Sequence, residues 1–220
     1  MQNTDKKTII SARGITKHFG QRMVLDGIDF DMPSGVIVGI SGANGSGKSV
    51  FLRILCGLIR PNSGQVEVLG QKIGPEVEFP HASGILIDSP GFLMTESGRR
   101  NLELLASIQG KIDRAKVEEA LHSVGLDVND RRPVSAYSTG MRQRLGLAQA
   151  IMEDPELLIL DEPTNGLDFD GQREIYQYLI ELREQGKSIL ITSHSKDEIK
   201  ILCDKAFMMA EGKLAPAQDS

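Results

Sequence analysis

A glycine-rich segment between an apolar run and a helix-like run offers the clearest chemistry in the chain. It reads Gly42, Ala43, Asn44, Gly45, Ser46, Gly47, Lys48 and Ser49, followed by Val50. In this G-x-x-x-x-G-K-S pattern the glycines let backbone N–H groups approach phosphate oxygens, Lys48 reaches the β and γ phosphates, and the Ser49 hydroxyl binds Mg²⁺. The alternative is a chance glycine-rich turn. The flanking strand-like and helix-like runs favour a nucleoside triphosphate site.

Two adjacent carboxylates and one histidine follow apolar runs later in the chain. Asp161 and Glu162 end the run at 157–160, and His194 comes two residues after the run at 188–192. Ligands of α/β sheets bind at the carboxyl ends of strands, so Asp161 could hold Mg²⁺ and Glu162 could activate water. Taken alone, an Asp-Glu pair before Pro163 is an ordinary strand exit. His194 is either a surface or capping residue or a hydrogen-bond donor to a γ-phosphate.

Strand-like and helix-like patterns alternate on either side of an all-helical stretch. Two β-type runs, at 8–15 and 24–30, precede the glycine loop, and the helix after the loop is expected to run to the breaker residues 61–64. Helical spacing dominates from about 95 to 151, with Asp113 as a helix N-cap and Gly125 just past that helix. Strands resume at 157–160, 188–192 and 205–210. The pattern predicts a mainly parallel α/β core with a helical insert.

Composition excludes several classes of protein. The 220 residues suit one domain, and a net charge of −5 argues against a nucleic-acid partner. Cys56 and Cys203 lie in apolar helix-like segments, which favours buried reduced thiols and a cytosolic compartment. Neither a membrane span nor a signal-peptide block is recognisable. If the protein works at a membrane, another chain must supply the spanning part.

The segment Tyr137–Arg144, Tyr-Ser-Thr-Gly-Met-Arg-Gln-Arg, precedes a helical run. At this point the sequence resembles the ATP-binding-cassette (ABC) ATPases, whose signature Leu-Ser-Gly-Gly-Gln also precedes a helix. The resemblance covers nearly the whole chain, with the motifs in family order. The matching positions are Phe19 for the aromatic residue that stacks on adenine, residues 42–49 for Walker A, residues 137–141 for the signature, residues 157–162 for Walker B, residues 165–168 for the D-loop, and His194 for the switch histidine. For Phe19, an ordinary strand core residue is the alternative.

The resemblance implies a single ABC nucleotide-binding domain over residues 1–220. Its fold would be a P-loop NTPase of the α/β class: a mainly parallel sheet core, an antiparallel β subdomain and an inserted helical subdomain. The ATP-binding core would cover about 8–90 and 153–215, and the helical subdomain about 91–152.

The resemblance also implies a mechanism that uses two chains, with ATP and Mg²⁺ as cofactors. Two such domains pair head to tail, a homodimer being expected, so that each glycine loop faces the partner's signature. The signature residues that would act across this interface are Ser138, Thr139, Gly140 and Met141, with Ser138 and the Gly140 N–H as the direct γ-phosphate contacts. Asp168 belongs to the D-loop. Within one chain, Glu162 polarises water, His194 steadies the γ-phosphate, and Ser49 and Asp161 hold Mg²⁺.

Two places depart from the family pattern. Thr139 and Met141 replace a Gly and the final Gln of the signature, and Thr139 brings a Cβ near the phosphate. Asp88 stands where the Q-loop glutamine is expected, and a carboxylate binds Mg²⁺ more strongly than an amide does but donates no hydrogen bond. Asp88 followed by Ser89-Pro90-Gly91-Phe92 looks like the branch of bacitracin- and lantibiotic-type exporters. The alternative for Asp88 is a solvated residue of a surface turn.

The expected function is that of an ATP-hydrolysing transporter subunit, peripheral at the inner face of the cell membrane. Resemblance to that branch implies export of a peptide antibiotic or a similar compound through integral membrane permease subunits. Little sequence follows Gly212, which also favours export, and the loop at 89–94 is a candidate contact for the permease. The alternative for this loop is a helix lead-in packed on its own domain. The alternative function is a non-transport ABC ATPase that acts mechanically on a macromolecule.

Overall fold

Residues 7–75, 77–88 and 90–217 are described by a computed structural model of the chain. Its strands are β1 (Thr8–Phe19), β2 (Arg22–Pro33), β3 (Ile37–Ser41), β4 (Ser63–Val68), β5 (Gln71–Ile73), β6 (Ser83–Leu86), β7 (Leu157–Asp161), β8 (Ser188–Ser193), β9 (Lys205–Ala210) and β10 (Lys213–Pro216). Its helices are α1 (Lys48–Leu55), α2 (Gly98–Gln109), α3 (Arg114–Ser123), α4 (Thr139–Ile151), α5 (Phe169–Glu184) and α6 (Lys196–Leu202), with a 3₁₀ turn at Val134–Ala136.

The strands form two sheets. The larger has the order β10-β9-β3-β8-β7-β6, and all its neighbours are parallel except β10, which pairs antiparallel with β9. The smaller has the order β2-β1-β4-β5 and is antiparallel throughout. These sheets are the predicted parallel core and antiparallel subdomain.

The central strands are buried on both faces. All five residues of β3 and all six of β8 are buried, as expected of parallel strands covered by helices and by a second sheet. Because side chains alternate along a strand, β3, β7 and β8 feed two separate hydrophobic clusters. One contains Ile37, Leu158, Leu160, Ile189 and Ile191, together with side chains of α2 to α6. The other contains Val38, Ile40, Leu157, Ile159 and Leu190, together with α1, β1, β2 and β4.

The inserted helical stretch consists of α2, α3 and α4. The Asp113 side chain accepts a hydrogen bond from the Lys116 N–H at 3.1 Å, which confirms it as the N-cap of α3. Gly125 follows that helix with φ of 74°, the left-handed geometry that glycine adopts without a steric penalty. The expected helical subdomain at 91–152 encloses these elements, and its boundaries stay a prediction.

Several elements differ from the sequence-based expectation. Helix α1 ends at Leu55 rather than near Pro61, because Gly57 turns the chain with φ of 79° and a Cβ there would meet the Glu78 carbonyl oxygen at 1.7 Å. Strands β5 and β10 are additional, and both are short antiparallel edge strands.

Cys56 is buried, and desolvation raises the pKa of its thiol to about 12, whereas Cys203 is only partly buried. Within the described ranges, no helix has the length and apolar character of a membrane span.

Candidate nucleotide-binding site

Four of the segments singled out in the sequence follow the carboxyl ends of neighbouring strands in the larger sheet. Strands β3, β8, β7 and β6 are consecutive and parallel, and their carboxyl ends lead into the glycine loop, His194, Glu162 and Asp88 respectively. The register keeps these ends level, because Ser41 pairs with Ser193 and Asp161 with Thr192. A crevice at the carboxyl ends of parallel strands is the usual ligand site of this architecture.

The glycine loop forms a cradle of backbone groups. Gly45 and Gly47 have φ of 78° and 113°, which disfavours any side chain there, and a Cβ on Gly42 would lie 2.4 Å from the Met209 carbonyl oxygen. The Ser46 hydroxyl is buried and has no hydrogen-bond partner. A buried polar atom without a partner is costly, and a phosphate oxygen would satisfy it. The loop then runs directly into the N-terminus of α1, which favours an anion.

Lys48 is buried with 5% of its surface exposed, and its ammonium group is turned toward this loop. Its Nζ donates to the carbonyl oxygens of Gly42 at 2.7 Å and Ala43 at 3.3 Å. It also lies 4.0 Å from Oε1 of Glu162. A buried cation beside the glycine loop and Glu162 is compatible with the role predicted from the motif, which stays a prediction.

Thr192, a residue that no sequence motif singles out, contacts both Asp161 and Glu162. The Thr192 hydroxyl donates to Oδ1 of Asp161, and its backbone carbonyl accepts from the Glu162 N–H at 3.2 Å. Glu162 has φ of 48°, a conformation that costs energy for a residue with a side chain. Thr192 therefore holds the Asp161 carboxylate and the Glu162 backbone at the end of β7.

His194 lies beside Glu162. The distance from its Nδ1 to Oε2 of Glu162 is 3.5 Å, and 63% of its side chain is exposed. Both sequence-based interpretations of His194 are compatible with this position, since it is at the surface and yet faces the carboxylate. Its exposed ring is free to contact a ligand in the crevice.

The signature residues begin α4. Ser138 is the N-cap, and its hydroxyl accepts from the Met141 N–H at 3.1 Å. Thr139 and Gly140 pack against Gly166, because a Cβ on Gly166 would lie 2.8 Å from Cγ2 of Thr139. The side chain of Thr139, which departs from the family pattern, thus occupies space that the glycine at 166 leaves free.

One glutamine joins α4 to the residue that follows β7. Gln143 Nε2 donates to the backbone carbonyl of Glu162 at 3.0 Å, although the two residues are 19 positions apart in sequence. The D-loop residue Asp168 is the N-cap of α5 and accepts from the Gly171 N–H at 2.9 Å. Sequence reasoning did not single out Gln143, whose partner is a backbone atom that no motif reveals.

Comparison with known proteins identifies the family. The family model described as ABC transporter matches residues 25–165, well over half of the chain. The chain belongs to the ABC transporter family. As a member, this ABC cassette binds and hydrolyses ATP.

Two named relatives are similar to the cassette over most of its length. The bacitracin transport ATP-binding protein BcrA of Enterococcus faecalis is 40% identical over 208 residues, which are 94% of this chain and 68% of that protein. The lantibiotic transport ATP-binding protein SrtF of Streptococcus pyogenes is 32% identical over 206 residues, which are 94% of this chain and 89% of that protein. Among solved structures, the dimeric structure of MJ0796, a bacterial ABC transporter cassette, aligns with a TM-score of 0.85 at 22% identity and covers 96% of this chain and 100% of that one. This likeness confirms the fold.

Phe19 occupies an exposed position at the tip of the hairpin between β1 and β2. It pairs with Arg22, half of its surface is exposed, and Lys17 Nζ lies 5.2 Å from its ring centroid. This hairpin adjoins the glycine loop, since a Cβ on Gly47 would lie 2.8 Å from Leu25 of β2. The alternative of an ordinary core residue is wrong for Phe19. Its stacking on adenine stays a prediction.

Asp88 forms an ion pair with α1. Both carboxylate oxygens lie 2.6 Å from Arg53 Nη2, and Asp88 has φ of 59°. The hydrogen bond to Asp88 raises the pKa of Arg53 above its usual value. Asp88 thus combines a surface position, with 58% of its side chain exposed, and an ion pair with Arg53, and both sequence-based interpretations of Asp88 stay predictions. Its neighbour Ser89, quoted with it in the sequence-based assignment, lies outside the described residues.

Ser49 and Asp161 carry the hard oxygen atoms that would suit Mg²⁺, and their role as its ligands stays a prediction. Ser49 is the second residue of α1, which follows β3 through the glycine loop, and Asp161 is the last residue of β7. Strand β8 lies between β3 and β7 in the sheet. In the described ranges no group of three or more His, Cys, Asp or Glu side chains is placed to hold a metal ion. Mg²⁺ in nucleotide sites is bound by one or two protein oxygens together with substrate phosphates. The donor set fits such an ion, which would depend on bound ATP.

Proposed function

We propose that this cassette powers export of a peptide antibiotic or a similar compound through separate integral membrane permease subunits. The observation that carries this proposal is the 40% identity to a bacitracin transport ATP-binding protein over 94% of the chain. The similarity to a lantibiotic transport ATP-binding protein supports the same class of cargo. The cassette would work at the inner face of the cell membrane.

Hydrolysis would use the residues at the carboxyl end of the sheet. Lys48 would exchange its contacts with the Gly42 and Ala43 carbonyls for phosphate oxygens, and the glycine-loop amides would bind the same groups. Glu162 would polarise the attacking water and take up its proton, while His194 would donate a hydrogen bond to the γ-phosphate. When bound, Mg²⁺ would sit on Ser49 and Asp161 and neutralise phosphate charge.

The second half of each active site would come from another copy of this chain. Ser138 and Thr139 are exposed at the N-terminus of α4, where backbone N–H groups and the helix dipole favour an anion. In a head-to-tail homodimer, Ser138 and the Gly140 N–H would reach the γ-phosphate bound by the partner. The roles of Thr139, Met141 and Asp168 at this interface are part of the same proposal.

The permease contact would include the loop that precedes α2. Leu93 and Met94 are exposed, whereas Phe92 packs against the cassette's own hydrophobic cluster. The Leu93 backbone is fixed from both sides, since its N–H donates to Asn101 Oδ1 at 2.7 Å and its carbonyl accepts from Asn101 Nδ2 at 3.1 Å. A rigid backbone that presents two apolar side chains suits a docking segment of a membrane protein.

Purification of the tagged chain from detergent-solubilised membranes tests the proposal. We expect recovery with a multi-span permease, and we expect deletion of the gene to increase sensitivity to a peptide antibiotic. The variant Leu93→Asp should lose the permease but keep ATPase activity. Association with ribosomes or DNA, without any membrane subunit, would overturn the transport function in favour of a mechanical ATPase.

A further inference from the structure

One buried carboxylate close to the hydrolytic site has no part in the mechanism above. Glu198 on α6 is 8% exposed and accepts two hydrogen bonds from hydroxyl groups. Thr164 Oγ1 donates to Oε1 at 2.6 Å, and Ser193 Oγ donates to Oε2 at 2.5 Å. Within the described residues Glu198 forms no ion pair. Burial of a carboxylate without a cation is costly, and the two hydroxyl hydrogen bonds offset part of this cost.

On one side, Glu198 holds the residues that flank His194. The Ser193 hydroxyl donates to the Glu198 carboxylate and also accepts from the Ser195 N–H at 2.9 Å. The Ser195 hydroxyl in turn accepts from the Glu198 N–H at 3.2 Å. The side chains before and after His194 are therefore both hydrogen-bonded to Glu198, while the imidazole itself remains exposed.

On the other side, Glu198 holds the segment that follows Glu162. The Thr164 hydroxyl donates to it, and the Thr164 carbonyl accepts from the Leu167 N–H at 3.2 Å, which shapes the turn before Asp168. Tyr176 on α5 lies nearby, and burial, with the charge of Glu198 as a second cause, raises the pKa of its phenol to about 12. The two oxygens of a single carboxylate thus connect segments that are 29 residues apart in sequence.

We propose that Glu198 is a positioning residue for ATP hydrolysis, because its carboxylate fixes the His194 segment (193–195) relative to the segment 163–168, whose last four residues are the D-loop. The inference rests on the proposed role of His194 in hydrolysis. Glu198 does not contact the reacting atoms. It acts through the two hydroxyls, and a loosened His194 would slow the chemical step while the glycine loop still binds ATP.

Steady-state ATPase kinetics and nucleotide titration of Glu198→Gln and Ser193→Ala test this inference. We expect kcat to fall about tenfold, since small displacements of a catalytic group are expensive. The Kd for ATP should stay within about twofold, because the affected interaction belongs to the transition state. Asp197→Asn is the matched control: it removes a neighbouring exposed carboxylate of α6 and should leave both constants unchanged. An unchanged kcat in both test variants would overturn the proposal.

A double-mutant cycle separates positioning from a merely structural role. The measured quantity is the rate of single-turnover hydrolysis. If Glu198 acts through His194, adding Glu198→Gln to His194→Ala should lower this rate little further. An equal loss in both backgrounds would overturn positioning and assign Glu198 to stability alone. A normal kcat in His194→Ala alone would instead contradict the proposed mechanism. If Glu198→Gln does not fold, Ser193→Ala or Thr164→Val can replace it in the same double-mutant cycle, because each removes one of the two hydroxyl contacts.

Discussion

Glu162 lies between two nitrogen groups, with Lys48 Nζ 4.0 Å from one carboxylate oxygen and His194 Nδ1 3.5 Å from the other. The three side chains come from different elements that the parallel sheet brings to one edge. Lys48 bridges the phosphate cradle and the candidate base, so binding and hydrolysis share this residue. Glu162 has no other assigned task, which makes it the best residue for separating the two functions.

Replacing Glu162 with glutamine should block hydrolysis and leave ATP binding intact. The amide keeps the size of the side chain but cannot take a proton from water, so kcat should fall about 100-fold or more. ATP should then trap a dimer, visible by size-exclusion chromatography. Glu184→Gln, at the exposed end of α5, is the control. Substantial single-turnover hydrolysis by Glu162→Gln would remove Glu162 as the principal water activator.

The ion pair between Asp88 and Arg53 also permits a sharp test. Asp88→Ala should leave ATP binding nearly intact but reduce Mg²⁺-dependent hydrolysis or its coupling to transport. Arg53→Met should reproduce this effect, with the double variant no worse than either single variant if the pair acts as a unit. Both side chains are partly exposed, so stability should change by at most about 1 kcal/mol.

The control for this test is Asp31→Ala, which breaks the similar but distant pair of Asp31 with Arg13 on the antiparallel sheet. ATPase and transport rates in that variant should match those of the unmodified chain. Unchanged ATPase and transport rates in Asp88→Ala would remove any special role for Asp88.

At the scale of elements, the level register of β3, β8 and β7 is what assembles the site. Sequence predicted this arrangement because apolar runs followed by Asp161-Glu162 or His194 are strong local signals. It missed β5 and β10 because edge strands of three and four residues have too little hydrophobic pattern to be recognised. The contacts of Gln143 with the Glu162 carbonyl and of Asp88 with Arg53 were also missed, since they join residues 19 and 35 positions apart.

The contact between β6 and α4 predicts a strong effect of one methyl group. A Cβ on Gly84 would lie 1.9 Å from the Ala150 carbonyl oxygen, so Gly84→Ala must push strand and helix apart. The free energy of unfolding, measured by urea denaturation, should fall by roughly 2–3 kcal/mol. Gly74→Ala is the control, because a Cβ there has no neighbour within 4 Å. Equal stability of the two variants would contradict the described packing of α4.

At the scale of the whole molecule, the glycine loop and the signature lie on different elements and are proposed to serve different active sites. Ser138 is exposed and is used within its own chain as a helix cap. We expect hydrolysis to occur where the Walker motifs of one chain meet the signature of another. This claim concerns two copies, so single-chain variants alone cannot distinguish it from a site completed within one chain.

Mixing two inactive variants tests the claim most directly. Glu162→Gln keeps its signature and Ser138→Arg keeps its Walker motifs, so each homodimer should be inactive, whereas a heterodimer contains one intact site. The two variants are combined before ATP is added. ATPase activity should then recover to about a quarter of the unmodified level, because half of the randomly formed dimers are heterodimers and each heterodimer has one working site of two. Activity no higher than the average of the two separate variants would contradict an active site shared between chains.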